Sequence, residues 1–201
     1  YDVVELARYA TVPVINGLSD FAHPCQGMAD FLTILEYKGG FAGRKLAYLG
    51  DGNNVAVSLL FGAALLGMDY TIATPRRYEL HPAVWSIGQR LAAQTGATLS
   101  ATYDPLEAVA GADVIYTDTW TSMGQEEEAQ QRRQVFPPYQ VDQTKLAYAK
   151  DDVMVMHCLP AHRGEEITDA VADGPHSALF YQAENRLHAQ KAILVWALNA
   201  G

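Results

Sequence analysis

The chain has only two cysteines in 201 residues, Cys25 and Cys158, too few for the disulfide framework that holds together small secreted domains. These two could pair on paper, but no signal-peptide pattern marks the chain for secretion, and the count fits a reducing cytoplasm. Uninterrupted apolar runs of about 18 residues are also missing, so no membrane-spanning helix is expected. Positive charge is scarce: 14 Lys+Arg against 23 Asp+Glu give a formal charge of -9, which opposes nucleic acid and anionic membrane surfaces as partners. An anionic ligand would have to meet a local positive site. No C-x₂₋₄-C pair accompanies His157, Cys158 and His162, or His23 and Cys25, so no metal is expected. An initial methionine is absent as well. Tyr1 to Ala10 reads as a helix already under way without an N-cap, and the expectation is a fragment whose earlier part preceded Tyr1.

What is present is enough apolar side chain, 49% of the residues, for one good core or one domain with an appendage. The organising stretch is Val153 to Glu166. Val153 to Met156 is a short apolar run suited to a strand buried on both faces, and His157, Cys158, Leu159 and Pro160 follow at its carboxyl end. Pro160 has no N–H to give a ladder, so the strand stops there. In open α/β sheets ligands bind outside the carboxyl ends of the strands, which raises the interest of Cys158. By composition alone a buried packing cysteine accounts for it equally well.

The same punctuation recurs along the chain. Pro24 suits the first turn of a helix from Gln26 to Tyr37, with His23 and Gln26 at its entrance and Gly39-Gly40 after it. Lys45 to Leu49 reads as a strand, Val55 to Leu66 as a helix, Tyr70 to Ala73 as a strand, Pro82 to Gln94 as a helix and Thr98 to Thr102 as a strand. Asp104-Pro105 opens a short helix, and Asp113 to Thr117 is the next strand, ending in Asp118. Gln125 to Arg133 reads as a solvated helix face, Glu165 to Val171 as a short helix, Ala178 to Tyr181 as a last extended segment and Ala183 to Ala200 as the final helix. That last boundary puts Arg186 in a first turn, where the helix dipole opposes a cation. Strands alternating with helices predict an α/β fold: a doubly wound, mostly parallel sheet with helices on both faces. The turn Gly50-Asp51-Gly52-Asn53-Asn54-Val55 imitates a dinucleotide fingerprint but has Val55 in place of the third glycine. The following strand ends in Thr74-Pro75-Arg76-Arg77 without a carboxylate for a ribose, so NAD is disfavoured. Asn53-Asn54, two amides at a strand end, can donate and accept toward a zwitterion.

Taken together and in order, HPCQ, GDGNNV, DTWTSMGQE, MHCLPAHRGEE and ENRLHAQKA resemble the ornithine carbamoyltransferases across essentially the whole chain. The resemblance implies transfer of the carbamoyl group of carbamoyl phosphate to the δ-amine of ornithine, giving citrulline and phosphate, with no cofactor. It implies that His23, Pro24, Cys25, Gln26, Cys158, Leu159 and Arg186 meet carbamoyl phosphate, with Cys158 as proton acceptor. It implies that Asn54, Asp118, Ser122 and Met123 hold the α-amino and α-carboxylate groups of ornithine. Residues 1–22 would be the tail of a carbamoyl-phosphate domain, 24–38 a linking helix, 40–180 the ornithine domain and 183–200 a helix packing back on the first domain. The family's S-T-R-T-R phosphate grip has no counterpart, since no Ser-Thr-Arg occurs. A cytoplasmic homotrimer is implied for the full-length protein. Sister enzymes acting on putrescine or an N-acylated ornithine, and a noncatalytic ligand-binding fragment, are the alternatives.

Overall fold

The structure, a computed structural model, describes residues 2–121 and 128–199. Five parallel strands form one sheet in the order β3-β2-β1-β4-β5, with β1 at Lys45–Leu49, β2 at Asp69–Ala73, β3 at Leu99–Thr102, β4 at Val114–Thr117 and β5 at Met154–His157. Register is continuous across the centre, where Tyr48 lies opposite Ile72 on one side and Tyr116 on the other. The period of two, with both faces covered, explains why the central strands are almost wholly apolar, whereas the edge strand β3 has Ser100 and Ala101 exposed. Leu46 and Tyr48 point into one buried cluster with Phe31, Ile34, Leu59 and Leu60, whereas Ala47 and Leu49 point into a second with Val109, Leu146 and Ile167.

Helix α1 spans Asp2–Tyr9 and buries none of its residues. Helices α2 (Pro24–Lys38), α3 (Asn54–Leu66) and α4 (Pro82–Thr95) supply the first cluster, and α5 (Pro105–Val109), α7 (Gln143–Tyr148) and α8 (Asp169–Ala172) the second. Three helices close on glycine in the left-handed region: Gly39 after α2, Gly67 after α3 and Gly96 after α4. The connections after β1 and β4 run to opposite faces, so a crevice opens between the carboxyl ends of those two strands. Among the described residues, no helix is long and apolar enough to cross a membrane.

Four expectations need correction. Ala178 to Tyr181 is not extended: only Ser177 bridges to Val155, and helix α9 begins at Leu179 and runs to Asn199. The aromatic pair Phe180-Tyr181 suggests a strand, but both rings are exposed while Leu179 and Gln182, a helical three apart, are buried. Arg186 therefore sits about two turns inside α9, where the dipole does not oppose it. Glu165 to Thr168 is turn and bridge rather than helix, because Glu166 is drawn inward and Ile167 pairs with Val141 and Arg163. The solvated face expected for Gln125 to Arg133 fails at Arg132 in α6 (Ala129–Val135), which is 4% exposed; residues 125–127 of that stretch lie outside the described residues.

Helix α9 lies along α2 and is joined to it by polar contacts. Asn185 Nδ2 donates to Thr33 Oγ1 at 2.9 Å and to Glu36 Oε2 at 2.7 Å, while the Tyr37 and Tyr181 rings meet edge to face at 5.2 Å. At its far end Val195, Trp196 and Leu198 are exposed, as are Val4, Leu6 and Tyr9 of α1.

Candidate active site

Three strand ends meet at the crevice. After β1 the chain turns through Gly50 to Asn53, and Asn53 caps α3: its Oδ1 accepts from Val55 N at 3.0 Å, from Ala56 N at 3.1 Å and from Tyr48 Oη at 3.2 Å. With the oxygen so committed, its amide nitrogen faces outward and donates to Asp118 Oδ2 at 2.7 Å. Asp118 follows β4 directly, and its Oδ1 accepts from Thr119 N at 2.8 Å and from the Cys158 thiol at 3.0 Å. Cys158 follows β5. A carboxylate from β4 is thus held between an amide from the β1 loop and a thiol from the β5 loop.

The thiol is far from a ready thiolate in this arrangement. Burial, the Asp118 charge and the hydrogen bond to it push its pKa well above the usual cysteine range, so Cys158 donates. The turn after it is held by His157, whose Nδ1 accepts from Leu159 N at 2.8 Å and whose Nε2 faces Glu166 Oε1 at 3.1 Å. That places the ring proton on Nε2. Leu159 has φ of 56°, a left-handed conformation that L side chains rarely adopt, and the turn carries that strain beside the thiol. Asp118, His157 and Cys158 bring an oxygen, a nitrogen and a sulfur within 4.8 Å of one another, as a metal site would need. Both His157 nitrogens and the Cys158 proton are already committed to hydrogen bonds within the protein.

A second group of side chains arrives from α2 and α9. His23 caps α2; its backbone N donates to Ser58 Oγ at 2.8 Å, and its Nδ1 lies 2.8 Å from the Gly17 carbonyl. A carbonyl only accepts, so Nδ1 carries the proton and Nε2 presents a lone pair. Burial, followed by the nearby Arg186 charge, lowers the His23 pKa and favours that neutral ring. One turn on, Gln26 Oε1 accepts from Arg186 Nη1 at 2.5 Å while its Nε2 donates to Asp30 Oδ1 at 2.7 Å. Arg186 Nε is buried without a hydrogen-bond partner among the described residues, a charged donor left unspent at this end of the crevice.

Of the residues singled out in the sequence, His23, Gln26 and Arg186 form one cluster and Asp118 and Cys158 another. Pro24 and Cys25 form the first turn of α2, with the Cys25 thiol buried toward Asn16 O; both cysteines are free. Asn54 is turned away from Asp118, its Nδ2 donating to Ser19 O at 2.8 Å, and the amide that reaches Asp118 is Asn53. Ser122 and Met123 lie outside the described residues. Sequence reasoning missed Arg132, which donates through Nη1 to Asp51 Oδ2 at 2.5 Å and to Trp120 O at 2.8 Å and so braces the β1 and β4 loops on either side of the crevice. Asp51, one residue from a glycine in a recognisable turn, was the available signal.

Two family models match the chain in succession. The model for the aspartate/ornithine carbamoyltransferase Asp/Orn binding domain matches residues 42–197, and the model for the carbamoyl-P binding domain of the same family matches residues 1–36. The chain belongs to the aspartate/ornithine carbamoyltransferase family. Among its relatives, the ornithine carbamoyltransferase of Thermococcus kodakarensis is 56% identical over 193 residues, 96% of this chain and 61% of that protein. An anabolic ornithine carbamoyltransferase of Pyrococcus furiosus is 57% identical over the same length. The solved ornithine carbamoyltransferase from Pyrococcus furiosus superposes with a TM-score of 0.92, covering 96% of this chain and 62% of that one. The enzyme from Gloeobacter violaceus superposes at 0.91 with 50% identity, covering 100% of this chain and 66% of that one. The chain therefore spans about three-fifths of the length of the curated carbamoyltransferases it matches.

Proposed function

We propose that this chain is the ornithine-binding part of an ornithine carbamoyltransferase, which transfers the carbamoyl group of carbamoyl phosphate to the δ-amine of L-ornithine. The observation that carries the reading is the Asp118 carboxylate held between Asn53 and Cys158 at the crevice, with Gln26 and Arg186 converging from two helices. A carboxylate there suits the α-ammonium of an amino acid, and an unspent guanidinium N–H suits a phosphate. In the reaction the lone pair of the δ-nitrogen forms a C–N bond to the carbamoyl carbon. The carbon–oxygen bond to phosphate breaks with its electron pair leaving on phosphate, and one proton leaves the nitrogen.

His23, Pro24, Cys25, Gln26, Leu159 and Arg186 would face carbamoyl phosphate, and Asn54, Asp118, Ser122 and Met123 would face ornithine. The Nε2 lone pair of His23 is the acceptor that a carbamoyl –NH₂ requires. Cys158 would act once ornithine is seated: an ammonium at Asp118 offsets the carboxylate charge that now holds the thiol proton, so substrate binding itself lowers the thiol pKa. The complete enzyme would be a cytoplasmic homotrimer, with residues 1–22 closing a preceding carbamoyl-phosphate domain, 24–38 linking it to the ornithine domain and 183–200 packing back against it.

Citrulline formation by the complete enzyme tests this, with ornithine, putrescine and an N-acylated ornithine compared as acceptors. Ornithine is expected to be the substrate used, and Asp118→Asn to weaken it by about 2–5 kcal/mol while sparing carbamoyl phosphate, which has no ammonium. Preference for putrescine or the acylated amine would reassign the enzyme to a sister specificity. Equal losses for both ligands in Asp118→Asn would make Asp118 structural.

A further inference from the structure

We propose that Asp30, which lies behind the crevice and out of reach of any substrate, is a positioning residue that sets the amide of Gln26 and thereby the guanidinium of Arg186 for carbamoyl phosphate. The inference rests on the reading that Gln26 and Arg186 meet that substrate.

Asp30 is 0% exposed, one turn along α2 from Gln26. Its Oδ1 accepts from Gln26 Nε2 at 2.7 Å and from Gln182 Nε2 at 2.6 Å, and its Oδ2 accepts from the Tyr116 hydroxyl at 3.1 Å. Gln182 Nε2 spends its other proton on Tyr116 Oη at 3.0 Å, and Gln182 Oε1 accepts from His157 N at 2.9 Å. Both protons of Gln182 Nε2 have an acceptor, and each of the two amides is held in one orientation by what its oxygen and nitrogen meet. The orientation matters at Gln26, because an amide turned over would present N–H to the guanidinium of Arg186, donor against donor. An anionic acceptor at Nε2 forbids that turn and leaves Oε1 for Arg186 Nη1. Gln190, oriented so that both its amide atoms are satisfied, accepts from Arg186 Nη2 at 3.0 Å. One N–H of each terminal nitrogen is so spent, and Nε has no hydrogen-bond partner among the described residues, so the guanidinium keeps donors to give. Asp30 thus decides which edge of a cation faces a ligand it never touches. Burial raises its pKa to about 7, opposed by the Gln26, Gln182 and Tyr116 hydrogen bonds and by Arg186. Above that pH the carboxylate is the anion that orients Gln26, and simple glue between α2 and α9 is already supplied by Asn185.

The test is carbamoyl phosphate affinity measured by calorimetry on the complete enzyme, for Asp30→Ala, Asp30→Asn, Arg186→Gln and the two double variants. Asp30→Ala removes the acceptor and should weaken binding about tenfold or more, the scale of one hydrogen bond to a charged group. Asp30→Asn keeps a weaker, neutral acceptor with nearly the same shape, so it should fold and weaken binding by about three- to tenfold. In the Arg186→Gln background neither change should matter by more than about twofold, because the group being oriented is gone. Wild-type affinity in a folded Asp30 variant, or the same fold loss in both backgrounds, would overturn the positioning role. If the wild-type enzyme fails to bind carbamoyl phosphate, the functional reading itself falls. If Arg186→Gln weakens binding and folded Asp30 variants do not, only the role of Asp30 falls.

Discussion

A cysteine beside an aspartate is an unpromising base, and the hydrogen bond between Cys158 and Asp118 states why: burial and a neighbouring negative charge both hold the proton on sulfur. Asp118→Asn removes that charge. The pH midpoint for iodoacetamide labelling of the Cys158 peptide, followed by mass spectrometry, should then fall by about one pH unit or more. An unchanged midpoint would assign the whole effect to burial. Asp30 has its own signature in stability. Its pKa rises from 3.8 unfolded to about 7 folded, so between those values the folded state binds the extra proton and stability falls as pH rises. Denaturant unfolding from pH 4 to pH 7 should show a decline on the order of a few kcal/mol that Asp30→Asn abolishes. If the slope survives the substitution, another group is responsible. In the sequence Cys158 stood out by its place after an apolar run and by the MHCLP motif, whose resemblance implied a proton acceptor, but nothing there told of its hydrogen bond to Asp118. Asp30 was hidden because Gln182, which fixes it, lies 152 positions away.

Elements were far more legible, because the central strands are short apolar runs and three of the long helices, α2, α3 and α4, stop at a glycine with positive φ. The errors cluster where tertiary contacts outvote local preference: α9 starts at Leu179 despite two aromatic residues, and Glu166 is pulled inward to His157 and the N–H of His162. The β1–α3 turn owes its shape to close approach rather than to a nucleotide. A Cβ on Gly52 would lie 2.6 Å from Leu80 N and 2.8 Å from Tyr78 O, backbone atoms that cannot step aside. Gly52→Ala should therefore destabilise the fold by about 1–3 kcal/mol and displace Asn53 from Asp118, read as a lower melting temperature together with weaker ornithine binding. A normal melting temperature would show that the Tyr78 loop yields. At the α2–α9 contact, Asn185→Leu orphans the Thr33 and Glu36 contacts in a site only 3% exposed and should cost about 1–3 kcal/mol of stability.

At the scale of the whole molecule, the fold class and the crevice followed from strands alternating with helices, yet the alternation alone could not say which strand ends would meet. That depends on strand order, and the order β3-β2-β1-β4-β5 brings Asn53, Asp118 and Cys158 to one place from three separate stretches of chain. The phosphate end is less complete. The donors that the described residues bring there come from the α2 entrance and Arg186, and losing even one donor to a developing oxyanion costs about 10²–10³ in rate. The 201-residue chain assayed alone should give no measurable citrulline, and turnover by the chain alone would overturn that expectation. The same strand order also shapes how the chain comes together in time. Leu46 on one edge of β1 is matched by Tyr70, a short way along the chain, but on its other edge by Val114. During synthesis the central strand therefore leaves the ribosome with one side paired and the other waiting through two further helices and a strand. The residue that closes that side belongs to the strand that delivers Asp118, so the crevice cannot exist before the middle of the sheet does.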